Sequence, residues 1–172
     1  MNDTTSIRIA HLKDFPGHLP MLEHWFIEEW TPWYGPGGAG DARADLQACN
    51  SQDALPICLV ALEEGGDLLG TATLKSDSVG SELGVGPWLA AVLVSPEHRR
   101  RGVGTALVEA IEAEASRLGF EYIYTSTDSA QHIIERRGWE KIGHTQSLRG
   151  ALDVYHCRML SYVSGKRSER KE

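Results

Sequence analysis

Residues 88–118 constrain the fold more than any other stretch. An apolar run, WLAAVLV at 88–94, leads into SPEHRRRGVGT at 95–105. After it Val103, Leu107, Ile111, Ala115 and Leu118 recur at three- and four-residue steps. These periods predict a buried strand, a basic glycine loop and a helix whose apolar stripe faces a sheet. The same construction suits a pyrophosphate. Gly102 and Gly104 carry no side chains, so backbone N–H groups can close on an anion, and the helix start adds its positive dipole end and unpaired donors. Arg99, Arg100 and Arg101 bring three positive charges to the same place. An arginine run alone reads as a solvated turn. Between a buried strand and a helix start, anion binding is the better reading.

Two other phosphate loops fit less well. A P-loop closes on Gly-Lys-Ser/Thr, which does not occur here. A dinucleotide fingerprint needs a third small residue where this chain has Leu107, and its strand enters the turn directly rather than through residues 95–101.

The flanking pattern is that of a mixed α/β sheet. Residues 6–12 alternate like a first strand. Residues 19–33 carry Leu22, Trp25, Phe26 and Trp30 at helical spacing, and a proline- and glycine-rich break follows at 35–40. Asp41 is placed to cap a short helix over 41–49. Apolar runs at 56–62 and 68–74 flank EEGGD, the signature of a hairpin. A glycine-bearing loop, 77–87, enters the central strand. Beyond the long helix, closed by Gly119, a strand is predicted at 122–127, a short helix at 129–137 ended by Gly138, and strands at 140–147 and 151–159. Residues 1–163 read as one domain and 164–172 as a charged, disordered tail.

Composition excludes several classes. A net charge of −7 disfavours nucleic acid, because neutralising phosphates needs a basic face. No apolar run approaches the roughly 18 residues of a membrane span. The chain start lacks the basic and apolar regions of a secretory signal, which leaves the cytoplasm as the expected location. Three cysteines without C-x-x-C spacing argue against a disulfide framework and a zinc site, and seven scattered histidines give no metal pair. Homodimers are the commonest soluble assembly, but the sequence does not fix the oligomeric state.

The R-x-x-G-x-G pattern from Arg99 to Gly104, following Val92, Leu93, Val94, Ser95 and Pro96, resembles the acetyl-coenzyme A signature of the GNAT superfamily of N-acetyltransferases. The resemblance extends over about residues 68–139. It implies a GNAT-like acyl-CoA N-acyltransferase fold, α/β of the mixed α+β type. Its central sheet is mostly antiparallel, splayed between the fourth and fifth strands, with helices on both faces. It further implies that Val92, Leu93 and Val94 offer backbone groups to the pantetheine amides, and that Arg99, Arg100, Arg101, Gly102, Val103, Gly104 and Thr105 enclose the pyrophosphate. Asp128, beside Ser129, sits where it could contact the CoA arm, although helix capping explains both. The implied activity is acetyl transfer from acetyl-CoA, without a metal, by direct attack of a primary amine of a small molecule or protein, with a small molecule the favoured acceptor.

One family feature is missing. The tyrosine that often protonates the leaving thiolate would stand at Ile134. Tyr124 and His132 are the nearest replacements by sequence, though two residues is about 200° around a helix, so His132 faces away from position 134. Water is a further source, since a thiol with a reference pKa of about 8.5 leaves readily. Glu82, just before the central strand, is the candidate base, with a solvated loop carboxylate as the alternative. Glu28, Glu29, Trp33 and Tyr34 are candidates for the acceptor pocket, where carboxylates and aromatic faces suit a cationic amine. Two functions follow: an acetyl-CoA-dependent N-acetyltransferase, or a catalytically silent acyl-CoA-binding sensor.

Overall fold

The computed structural model describes residues 6–159. Seven strands form one sheet: β1 (Arg8–His11), β2 (Ile57–Leu62), β3 (Leu68–Lys75), β4 (Trp88–Val94), β5 (Tyr122–Thr127), β6 (Glu140–Ser147) and β7 (Gly150–Arg158). Their spatial order is β1-β2-β3-β4-β5-β7-β6, antiparallel throughout except for the parallel pair β4 and β5. The helices are α1 (Leu19–Glu29), α2 (Thr31–Tyr34), α3 (Ala42–Gln47), α4 (Val103–Arg117) and α5 (Gln131–Arg136).

Both faces of the first half of the sheet are covered, and β2 records this in its sequence. All six residues are buried. Ile57, Leu59 and Ala61 join the core beneath α4, while Cys58, Val60 and Leu62 join the core beneath α1 and α3. Side chains alternate across a strand, so a continuous apolar run is what a doubly covered strand requires. The α4 layer holds Val103, Leu107, Val108, Ile111 and Ala115 against the sheet. It packs closely over Gly70, where a Cβ would lie 2.8 Å from the Leu93 carbonyl oxygen and 3.2 Å from Leu107 and Val103. The three cysteines are free.

Two local expectations are corrected. The helix expected over 19–33 ends at Glu29, turns at Trp30 and resumes as α2. Pro32 is the cause: it has no N–H to return to the Glu28 carbonyl and its ring crowds that carbonyl, and the chain leaves the helical region at Trp30 (φ −118°, ψ 50°). The Thr31 hydroxyl instead donates towards the carbonyls of Ile27 (2.8 Å) and Glu28 (3.1 Å). Asp128 and Ser129 do not cap the following helix. α5 starts only at Gln131 with no side-chain cap among the described residues, and Thr127 instead closes the turn before it, its Oγ1 accepting from the N–H groups of Ser129 (3.2 Å) and Ala130 (2.9 Å). Asp41 does cap α3, accepting from the Ala44 N–H at 3.0 Å. The charged tail expected from residue 164 lies outside the described residues.

The arrangement that positions the site is the junction of β4 and β5. The strands pair at only two positions, Trp88 with Tyr124 and Leu89 with Thr125, and the Thr125 hydroxyl donates to the Leu89 carbonyl at 2.9 Å. Beyond these rungs the strands part. On its other edge β4 carries a bulge: two steps along β3, Thr71 to Thr73, face three along β4, Leu93 to Ala90. Ala91 takes up the extra residue at φ +53°. A bulge adds local twist and bends the strand.

Candidate functional site

The loop after β4 is built by short local bonds. The Ser95 N–H donates to the Leu69 carbonyl (2.9 Å), the His98 N–H to the Ser95 carbonyl (2.9 Å), and the Arg99 Nε–H to the Val94 carbonyl (3.2 Å). The chain then reverses through left-handed conformations at Arg100 (φ +63°) and Gly102 (φ +80°) and enters α4. Among the described residues no side chain caps α4. Its first-turn N–H groups therefore have no side-chain partner, in a helix of fifteen residues whose dipole is positive at that end. Arg101 lies 3.7 Å from Glu63. Gly104 is buried in the first turn; a Cβ there would meet the Ile133 Cδ1 at 3.0 Å and the Val94 Cγ2 at 3.7 Å. The loop, the start of α4 and α5 thus converge on the upper end of β4.

Residues 92–94 run along the parted edge. Val92 and Val94 pack towards the α4 core and Leu93 towards the opposite core. Their side chains are core residues, while the backbone edge facing β5 has no strand partner. Such an edge is a ready acceptor and donor row for an extended ligand.

Tyr124 stands on the first of the two rungs that join β4 to β5. Its ring lies 5.8 Å from that of Trp88 and 6.0 Å from that of His156. Its hydroxyl makes no hydrogen bond among the described residues. Burial, followed by the neighbouring Tyr122 and Glu121, raises its pKa. Ile134 is buried in the α4 core, and His132 is exposed on the other side of α5. Position 133, rather than 134, is the one that meets Gly104.

Glu82 sits in a single 3₁₀ turn, Ser81–Leu83, and accepts a hydrogen bond from the Thr145 hydroxyl of β6. That bond, with backbone donors, holds its carboxyl below the usual range. Around the end of α1, Tyr34 points into the α1 and α3 core and donates to Asp45 at 2.7 Å; burial and then Asp45 raise its pKa. It is not a pocket residue. Trp33 is 45% exposed, Glu28 pairs with His24 at 3.0 Å, and Glu29 is engaged by Arg149. Asp128 is engaged by Arg149 as well, at 3.5 Å. The sequence reading did not single out Ala91 or Arg149. Among the described residues no group of three or more His, Cys, Asp or Glu is arranged to hold a metal ion, and no helix is long and apolar enough to cross a membrane.

Residues 19–143 match the family model for the acetyltransferase (GNAT) family. A 78-residue segment, 45% of this chain, is 31% identical to the amino-acid acetyltransferase of Azotobacter vinelandii (strain DJ / ATCC BAA-1303). It covers only 18% of that relative, so the chain spans less than a fifth of the curated protein that it matches. Among solved structures, an aminoglycoside 6'-N-acetyltransferase complexed with coenzyme A superposes with a TM-score of 0.69 at 16% identity, over 89% of this chain and 97% of that one. A GCN5-related N-acetyltransferase from Kribbella flavida gives 0.67 at 20% identity, over 88% and 97%. Aminoglycoside 6'-acetyltransferase type Ii gives 0.68 at 18%, over 89% and 97%. At these identities the likeness to solved structures is one of fold.

Proposed function

The chain belongs to the GNAT acetyltransferase family, and from that premise we propose that it transfers the acetyl group of acetyl-CoA to a primary amine of a small molecule by direct attack. The single observation that carries the reading is the parting of β4 from β5 after two rungs, directly below an uncapped helix start and its basic loop. The exposed edge of residues 92–94 supports a pantetheine arm. Residues 99–105 support the pyrophosphate, with backbone donors from the first turn of α4 and charge from the arginines.

An alkylamine has a pKa near 10.4, taking lysine as its model, so it arrives as a cation and loses a proton before attack. Glu82 is our candidate for relaying that proton to water. Its carboxyl, held below the usual range, is ionised at neutral pH and cannot retain the proton, so the proton passes on to solvent. Glu28 and Trp33 favour a cationic acceptor at the end of α1, where Glu29 is already paired with Arg149. The named activity of the matched relative, acetylation of an amino acid, supports a small acceptor.

Attack by the neutral amine on the acetyl carbon forms the C–N bond, the attacking nitrogen gives its surplus proton to water, the C–S bond breaks, and the thiolate takes a proton. Tyr124 is our candidate hydrogen-bond donor to the sulfur. Burial pushes the Tyr124 hydroxyl above the ordinary tyrosine range, so full transfer from it to a thiolate of pKa about 8.5 is uphill and water supplies the proton. The buried Ile134 favours a second reading, a CoA-binding sensor without turnover. CoA release from acetyl-CoA across a panel of small amines separates the two: turnover supports the enzyme, and tight acetyl-CoA binding with no release for any amine supports the sensor.

A further inference from the structure

Among the described residues, three polar links span the parted strands. Each joins the β1–β4 half to the β5–β7 half. The Ser126 hydroxyl donates to the Val79 carbonyl at 2.7 Å, the Thr145 hydroxyl donates to Glu82, and Arg149 reaches back to α1. The last is the most extensive. Arg149 Nη1 donates to the Glu29 carbonyl (3.0 Å) and to Glu29 Oε1 (3.3 Å), while Nη2 lies 3.5 Å from both oxygens of Asp128. Glu29 closes α1 and Asp128 directly follows β5, so one guanidinium grips both sides of the opening. The carbonyl it takes is one of those left unpaired at the end of α1, where the helix dipole is negative.

Arg149 is also held in place from behind. It lies in the two-residue turn between β6 and β7, where Ser147 pairs with Gly150. The Ser147 Oγ accepts from the Arg149 N–H (3.1 Å) and donates to the Gly150 carbonyl (2.9 Å). A planar guanidinium on a pinned turn fixes a distance better than a flexible ammonium does.

Resting on the proposed acetyl transfer, we propose that Arg149 is a positioning residue: by tying Glu29 to Asp128 it sets the width of the β4–β5 opening on the acceptor side, and with it the distance from amine to acetyl carbon. Only two rungs hold these strands together, so the opening depends on links made outside the sheet. A misplacement of about 1 Å costs on the order of 10²-fold in rate. The three side chains are each one-third or more exposed, so the link contributes little to global stability. That contrast makes the role measurable.

The test compares Arg149→Ala and Arg149→Lys with the native protein on the amine that the native protein acetylates fastest. We expect kcat to fall by about 10-fold or more in Arg149→Ala and to recover partly in Arg149→Lys. Acetyl-CoA affinity and the thermal midpoint should stay close to native. Native kcat should decline between about 0.1 and 1 M salt, as the screening length falls from about 10 to 3 Å, and the alanine variant should not share that decline. Native kcat in the alanine variant, or a loss that follows the thermal midpoint in both variants, overturns the proposal. If the native protein binds acetyl-CoA yet acetylates no amine, the functional reading fails separately, and hydrogen exchange at residues 90–94 then decides. Faster exchange in Arg149→Ala supports the tie, and unchanged exchange refutes it.

Discussion

Replacing Gly104 tests the anion loop most sharply, because its neighbours set the size of the effect. In the first turn of α4 an added Cβ meets one flexible atom, the Ile133 Cδ1 at 3.0 Å, and stands in ordinary contact with Val94 at 3.7 Å. Its φ lies outside the left-handed region, so any L-residue fits the backbone. Alanine gains about 0.5–1 kcal/mol of helix preference over glycine, which offsets the few tenths of an ångström that Ile133 must give. Valine adds two methyls and overpacks the site by about 1–3 kcal/mol. For a chain of this length that lowers the thermal midpoint by roughly 2–4 °C per kcal/mol and leaves the protein folded. Binding should suffer more, since a hydrogen bond from a backbone N–H to a charged phosphate contributes about 1.5–3 kcal/mol. Losing one such bond weakens acetyl-CoA binding about 10- to 10²-fold. Calorimetry on Gly104→Val and Gly104→Ala, beside thermal unfolding, reads both quantities. Native affinity in a folded Gly104→Val protein would refute the assignment of this loop to the pyrophosphate.

The other predictions concern the chemistry and the core. Tyr124→Phe should reduce kcat by no more than about 10-fold, because water protonates the thiolate; a loss of ~10² or more with intact acetyl-CoA binding would make the tyrosine the acid. With Glu82 held below the usual carboxylate range, the rise of kcat/KM between about pH 6 and 9 belongs to the amine, so Glu82→Gln should scale that curve down without moving it. Superposable unscaled curves would leave Glu82 a loop carboxylate. Gly70→Ala should cost about 1–3 kcal/mol, read by denaturant unfolding, since its Cβ would press on the Leu93 carbonyl at 2.8 Å.

What the sequence disclosed followed from how periodic each segment is. The long helix was legible because Leu107, Ile111 and Ala115 lie on one stripe and Gly119 ends it at φ +86°. The β2–β3 hairpin was legible from two apolar runs around two glycines. In β4 the same density of apolar residues hid the bulge. When apolar residues pack against a core on both sides of a strand, as the partly buried residues 91–94 do, a one-residue slip at Ala91 leaves no break in alternation to notice. The divided first helix was signalled by Pro32, but the helical spacing of Trp25, Phe26 and Trp30 outweighed it. Asp128 is a favourable capping type in a favourable place, yet Thr127 reaches both amides first and leaves Asp128 to Arg149. That pairing, and the one between Arg149 and Glu29 across 120 positions, depends on how the hairpin folds over the sheet, which no local pattern encodes. Tyr34 reads as a pocket aromatic by its neighbours in sequence, and packing turns it towards Asp45 instead.

The central claim is transfer of acetyl from acetyl-CoA to an amine, and the most direct test follows both products in one reaction. Purified protein is incubated with acetyl-CoA and single small amines, free CoA is measured by thiol titration, and the amine is examined by mass spectrometry. CoA release should depend on the amine, be matched mole for mole by its N-acetyl derivative, and be lost in Gly104→Val. Acetyl-CoA bound tightly, with no acetylated product from any amine at any pH between about 6 and 9, would contradict that claim.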